Sequence, residues 1–234
     1  MNTSTVSFKR LRNLGRMMRC ALIVCVVAAC SSPPPASDVE TVRLVSEARI
    51  VLLNFMRDPN QAWIQQNLSN ARGVLISPRI LRAGFVVGGS GGRALLVARD
   101  GRTWAGPAFY DLLTTSVGFQ AGVDVSEAVI VVMTDKGLNS LLSPSFKIGV
   151  DASIAVGPTG AGARSTVTAD LVAFTRSKGL YGGVNLDGTV VNANAAWNEV
   201  FYGRRNVRPT DIFRKTVTNS EALPLLADLD AATR

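Results

Sequence analysis

From residue 38 onward the chain shows two textures of apolar spacing. In DVETVRLVSEARIVLLNFMRD, Val42, Val45, Leu52, Phe55 and Met56 recur at three- and four-residue steps, which predicts an amphipathic helix. Ser37-x-x-Glu40 supplies a capping box at its start. Asp58-Pro59 ends this run and opens a second predicted helix through QAWIQQNLSNA, with Pro59 in the first turn. An apolar stripe of this width is that of a helix packed on a core. From Arg72 the texture shortens. RGVLISP, AGFVVGG and RALLVAR are brief, β-branched runs punctuated by glycine, proline and the turn signal Asp100-Gly101.

Three later segments share a pattern: GFQAGVDV, SFKIGVDA and GLYGGVNL. Their Gly-Val pairs begin at Gly122, Gly149 and Gly183, and this unequal spacing excludes a solenoid of fixed period. The alternation Val123-Asp124-Val125 predicts a strand with one wet and one dry face. The expected fold class is α+β: a curved or barrel-like antiparallel β-sheet with N-terminal, intervening and C-terminal helices, bending at its glycines. The intervening helix is TDKGLNSLL, capped by Thr134. GPTGAGARS reads as a glycine-rich loop, NANAAWNEVFYG and RPTDIF as partly helical, and NSEALPLLADLDAAT as a closing helix that tolerates Pro224 in its first turn. Residues 38–234 therefore read as one domain: two helices to about residue 71, a β-rich core over 72–191 and a helical C-terminal part.

The start of the chain has a different logic. Lys9, Arg10, Arg12, Arg16 and Arg19 precede Cys20–Ala29, an apolar run too short to span a bilayer. Residues 1–29 thus have the form of an export signal. Val27-Ala28-Ala29-Cys30 resembles the bacterial lipobox, in which the cysteine is acylated and becomes the mature N-terminus. The alternative is an ordinary signal cut after Ala-x-Ala, leaving a free cysteine. Residues 30–37, the cysteine and SSPPPAS, form an extended tether. Ser31 after the lipidated cysteine favours the outer membrane, with the domain facing the periplasm.

Removing the leader also changes the charge. The whole chain carries 25 basic and 17 acidic residues, a net +8, and five of the bases lie in the leader. What remains is 20 minus 17, or +3, too mild to argue for a nucleic-acid partner.

Gly88-Gly89-Ser90-Gly91-Gly92 fits G-x-S-x-G, the elbow of α/β-hydrolases. The chain contains no histidine, so no Ser-His-Asp relay can form. Beyond the leader, the residues three before the lysines are Met133, Pro144, Thr175 and Ile212, which excludes Ser-x-x-Lys. Gly92 is followed by Arg93-Ala94 where a phosphate loop needs Gly-Lys-Ser/Thr. The stretch is therefore expected to be a glycine-rich turn joining GFVVG to RALLVAR as a hairpin. The three cysteines, Cys20, Cys25 and Cys30, offer neither a later disulfide nor a zinc cluster. No catalytic residue, metal site or cofactor is expected.

RGVLISP, AGFVVGGSGGRALLVARDG, SVGFQAGVDVSEAVIVVMT and TRSKGLYGGVNLDGTVV followed by FYG resemble the SYLF domain. This is a lipid-binding domain of bacterial lipoproteins and of eukaryotic endocytic proteins that regulate actin. The likeness covers about residues 38–217, and Ser177 to Val184 with Leu186 and Gly188 is its most specific part. The resemblance implies a non-enzymatic domain that binds phospholipids, phosphoinositides in the eukaryotic members. In an exported lipoprotein, actin is not carried over, and anionic bacterial phospholipids or lipid A are the expected partners.

Local charge nominates the lipid contacts. Arg72, Arg79, Arg82, Arg93, Arg99 and Arg102 stand against the single acid Asp100. Arg79 and Arg82 are expected to flank a turn at Pro78-Arg79-Ile80-Leu81, and Arg93 sits at the GGSGG hairpin. A second cluster is Arg204, Arg205 and Arg208, near Arg214 and Lys215. The candidate lipid-binding residues are Arg79, Arg82, Arg93, Lys178, Arg204, Arg205 and Arg208, since cationic forks suit phosphate oxygens. Any single one of them also fits an ordinary solvated surface. The leading expectation is a lipid-anchored envelope protein that binds phospholipid surfaces. The runner-up is an envelope scaffold for a protein or peptidoglycan partner, touching the membrane only through Cys30.

Overall fold

The first two helical segments start where a side chain takes an orphan amide. In the computed structural model, which describes residues 36–160, 167–177, 180–181 and 186–234, Ser37 Oγ accepts from Glu40 N (3.3 Å) ahead of α1, Asp38–Arg57. Asp58 Oδ1 accepts from Asn60 N (2.8 Å), starting a 3₁₀ turn that runs into α2, Ala62–Asn67. Residues 1–35, with the leader, Cys30 and most of the tether, lie outside the described residues, as do Lys178 and most of SKGLYGGV.

The β-rich part is built on one hairpin of unusual length. β1 (Gly73–Asp100) and β2 (Thr103–Val132) have 28 and 30 residues, several times an ordinary strand. They join at Gly101-Arg102, where Gly101 takes φ +62°, the left-handed region that a two-residue hairpin turn uses. This ribbon is folded in half. Arg99 N donates to Arg72 O (2.8 Å) and Ser77 Oγ to Arg93 O (2.9 Å), so residues 73–80 lie antiparallel beside residues 92–99 of the same strand. Register shifts at Ser77/Ile80, Gly84/Val86 and Leu96/Ala98 supply the bends, so the turn expected at Pro78-Arg79-Ile80-Leu81 is instead a bulge within β1.

The glycine-rich stretch is therefore not a tight turn. Gly88 to Gly92 pair with Ser116 to Leu112 inside the ribbon, at the end where it doubles back. The tight turn of this hairpin is at Gly101-Arg102. Glycine is needed at position 92 for close approach: a Cβ there would sit 2.4 Å from Arg79 O of the adjacent half-strand.

Shorter strands extend the sheet on both sides. β5 (Leu171–Ser177) pairs with the second half of β2, and β7 (Val190–Ala193) with the first half. β3 (Ser145–Lys147) adds to β7, while β4 (Ile154–Val156) and β6 (Leu180–Tyr181) add to β5. The fold is α+β with a curled sheet, as expected, but the β4–β5 pair is parallel. Within SFKIGVDA only Ser145–Lys147 is a strand; Gly149, Val150 and Asp151 form a turn, so this copy of the repeated pattern does not match the first in structure.

Four further helices follow: α3 (Asp135–Leu142), capped by Thr134 Oγ1, α4 (Ala195–Tyr202), α5 (Pro209–Phe213) and α6 (Leu223–Ala232). The sheet separates two cores. One packs Val74, Ile76, Leu95, Val97, Val129 and Val131 against Leu52 and Phe55 of α1, Trp63 of α2 and Leu225 and Leu229 of α6. The other packs Leu75, Ala94, Leu96, Ala128, Ile130 and Val132 against Leu141, Phe146 and Ile212. Strands covered on both faces read as continuous apolar runs, which is why ALLVA and AVIVV do not alternate. Ala36–Arg234 forms one compact unit, and among the described residues both cores are built from it. The domain can therefore fold without the leader.

Candidate functional site

At the doubled-back end, the ribbon extends past its helices. Leu81 pairs with Val125, Ala83 with Val123 and Gly91 with Leu113, so each couple shares a face. Leu81, Leu113, Val123 and Val125 are 49, 55, 66 and 44% exposed. Val123 and Val125 lie on the same face as Val129 and Val131, which are buried under helices four to eight residues further along β2. The strand has two unlike faces, as expected, although apolar patterning alone would bury the valines. The valines are the wet side, and Asp124 is half-buried, accepting a hydrogen bond from Ser177 Oγ (2.6 Å).

This apolar tip borders a recess of about 640 Å³ lined by Leu81, Ala83, Ser90, Leu113, Lys147 and Val190 among others. Ser90 has no histidine to activate it, so the recess can bind but has no relay for acyl transfer.

The nominated cations divide into three environments. Arg79 is exposed and Arg82 half-buried beside the tip, and among the described residues neither forms an ion pair. Arg93 is already engaged. Its guanidinium stacks on the Trp197 ring at 4.2 Å, and its Nε lies 3.7 Å from Asp111 Oδ1, directly across the ladder. Burial raises the Asp111 carboxyl above its ordinary range, opposed by Arg93 and by a hydrogen bond from Asn194 (2.8 Å). Arg204, Arg205 and Arg208 are exposed on the loop between α4 and α5, where Arg208 pairs with Asp211 (3.5 Å). That loop does not line the tip recess.

A cationic recess that the sequence did not nominate lies at the hairpin end. It has a volume of about 860 Å³ and is lined by Ser69, Arg72, Arg99, Arg102, Asp135 and Arg234 among others. Arg99 stacks on Trp104 at 4.6 Å and donates to Ser69 O (3.0 Å), Arg102 O (3.3 Å) and Thr233 Oγ1 (3.4 Å). Arg99 and Arg102 flanking the turn were the available signal. Their convergence with Arg72 depends on the folded ribbon. Among the described residues no group of three or more His, Cys, Asp or Glu could hold a metal ion.

A family model described as "Ysc84: Las17-binding protein actin regulator" matches residues 113–232, just over half of the 234. The chain belongs to the Ysc84 family. The expected SYLF-type domain is thereby established. Human SH3 domain-containing YSC84-like protein 1 is 30% identical over 174 residues, covering 71% of this chain and 50% of that protein. Protein YSC84 of Saccharomyces cerevisiae is 27% identical over 200 residues, covering 79% of this chain and 42% of that protein. LAS seventeen-binding protein 3 of the same yeast is 28% identical over 172 residues, covering 67% and 37%. The chain spans about half or less of the length of these relatives. The Ysc84 family is described by binding and regulation rather than by an enzymatic reaction.

Proposed function

We propose that this Ysc84-family domain is a non-catalytic binding module that docks on phospholipid surfaces through the ribbon tip. An acylated Cys30 and the tether over residues 30–37 would hold it at a bacterial envelope membrane, most simply the outer membrane facing the periplasm. The observation that carries this reading is the exposed apolar face of Leu81, Leu113, Val123 and Val125, with Lys147 lining the same recess and Arg79 and Arg82 near Leu81 along β1. Exposed valine and leucine on adjacent strands are unfavourable in water and favourable in an acyl layer, and the cations suit anionic headgroups. No helix among the described residues is long and apolar enough to cross a membrane.

Magnitudes set the expected mode. Burying a whole Val or Leu gives about 1.5–3 kcal/mol, so four half-exposed ones give roughly 4 kcal/mol. Two arginines near an anionic surface add about 1 kcal/mol each. Roughly 6 kcal/mol corresponds to an affinity of tens of micromolar, weak alone and sufficient on a tethered domain.

The test is co-sedimentation of the acyl-free domain, residues 36–234, with vesicles. Binding is expected to favour phosphatidylglycerol over phosphatidylcholine, to weaken with salt and to be lost in Leu113→Asp/Val123→Asp. Unchanged vesicle binding by that double variant overturns the reading. The names of the relatives support a second reading, in which the same tip docks a protein. In that case vesicles would not bind, and the Asp variant would lose a protein partner instead.

A further inference from the structure

We propose that the recess at the hairpin end is a binding site for a phosphate-type oxyanion, separate from the lipid-docking tip. Its centre is Arg99, held from three directions. The planar guanidinium lies on Trp104, and its N–H groups donate to Ser69 O, Arg102 O and Thr233 Oγ1. All three acceptors are neutral. The hydrogen bonds therefore fix the fork in place without cancelling its charge, which is the preorganisation an anion site needs.

The surrounding charges have the same sense. Arg72, Arg102 and Arg234 line the same recess as Arg99. Two acids are near. Asp135 lies 3.2 Å from Arg72, and Asp100 lies 2.9 Å from Lys215, whose charge it balances. The recess thus keeps an excess of positive charge. An incoming oxyanion would gain Arg102 outright and compete with Asp135 for Arg72.

The position of the recess argues against the membrane that the tip would meet. Residues 73–80 separate the two ends of the ribbon, eight residues at about 3.3 Å each, or roughly 25 Å. A bilayer that the tip meets end-on stays that distance away from the recess. The lining also lacks the exposed valines and leucines of the tip. The chemistry is that of a phosphate group approached from the aqueous side: a free phosphate, a soluble phosphate ester, or the headgroup of a second surface. The inference does not depend on the tip binding lipid.

The experiment uses the ¹⁵N-labelled domain, residues 36–234, titrated with inorganic phosphate. Trp104 Nε1–H, hydrogen-bonded to Thr233 Oγ1 (3.3 Å), is the reporter. A saturable shift of that resonance in the millimolar range is expected, absent with chloride at matched ionic strength. Arg72→Gln/Arg102→Gln should weaken it by about tenfold or more per arginine lost, as for charge-assisted hydrogen bonds. These two arginines border the recess, so the fold is expected to survive, and unchanged Trp63 and Trp197 resonances would confirm it.

Glycerol phosphate and phosphatidylglycerol vesicles form the other arms. A shift with the soluble ester alone assigns a soluble source, whereas a vesicle effect lost in the double variant assigns a headgroup. Arg79→Gln/Arg82→Gln should leave the phosphate shift unchanged. No saturable shift, an equal shift with chloride, or an equal shift in Arg72→Gln/Arg102→Gln overturns the proposal. None of these outcomes bears on Leu113→Asp/Val123→Asp sedimentation, so the two readings fail separately.

Discussion

Replacing Gly92 by alanine tests the folded ribbon directly. The new Cβ would sit 2.4 Å from Arg79 O, 3.2 Å from Ile80 Cα and 3.3 Å from Arg79 C. All three are backbone atoms, so no rotamer relieves the contact. About an ångström of separation is needed to reach ordinary contact distance. That movement stretches the neighbouring bond from Ser77 Oγ to Arg93 O, 2.9 Å in the structure.

Overpacking of this kind costs about 1–3 kcal/mol and the hydrogen bond about 1 kcal/mol more. Reduced freedom of the unfolded chain returns about 0.4–1 kcal/mol. The net loss is about 2–3 kcal/mol. Gly91 is the internal control, because a Cβ there meets Leu112 O at 3.6 Å, an ordinary contact. Gly91→Ala should be neutral or slightly stabilising. For a domain of this size each kcal/mol moves Tm by roughly 2–4 °C, so the two variants should melt about 10 °C apart. Thermal unfolding followed by circular dichroism measures this. Equal Tm values, or Gly91→Ala being the worse, would refute the half-strand contact.

Three other outcomes follow from the same geometry. Arg93→Gln should cost about 1–2 kcal/mol in denaturant unfolding, losing the Trp197 stack and the Asp111 pair, while vesicle binding persists. Asp170 accepts from Thr134 Oγ1 (2.6 Å), Ser153 N (2.9 Å) and Ser153 Oγ (2.8 Å), and Lys136 is 3.5 Å away, which together hold its carboxyl well below the usual carboxylate range. A depressed folded pKa stabilises above the unfolded value of about 3.9, and this contribution is lost as pH falls towards the folded one. Wild type should therefore exceed Asp170→Asn in stability at neutral pH, and urea midpoints of the two should converge in strong acid. Cys30→Ala in the full chain should abolish incorporation of labelled fatty acid; equal label in both proteins would remove the anchor from the proposed function.

Much of the helical part was legible because caps act within four residues. Ser37, Asp58 and Thr134 each accept the amide their spacing predicts, and Pro59 and Pro224 fall in first turns. The site was less legible. Arg93 reads as one more exposed cation until Trp197, more than a hundred residues away, is found under it. The alternation at Val123 and Val125 does not say which face is wet; they are exposed, whereas Val129 and Val131 on the same face are buried. GGSGG reads as a turn because glycine permits both a turn and a close approach, and local spacing does not distinguish them.

By itself, then, the sequence determined what depends on neighbours along the chain. It specified capped helices, β-branched runs, the Asp100-Gly101 turn and an α+β class. It also excluded histidine chemistry and supplied the motifs of the Ysc84 family. The tertiary structure decided what depends on contacts across the chain. Folding one long hairpin in half brings residues 73–80 against 92–99, leaves Leu81, Leu113, Val123 and Val125 exposed at one end and gathers Arg72, Arg99 and Arg102 at the other. The reason is physical: register and close packing between distant strands select one arrangement from several that the local pattern allows.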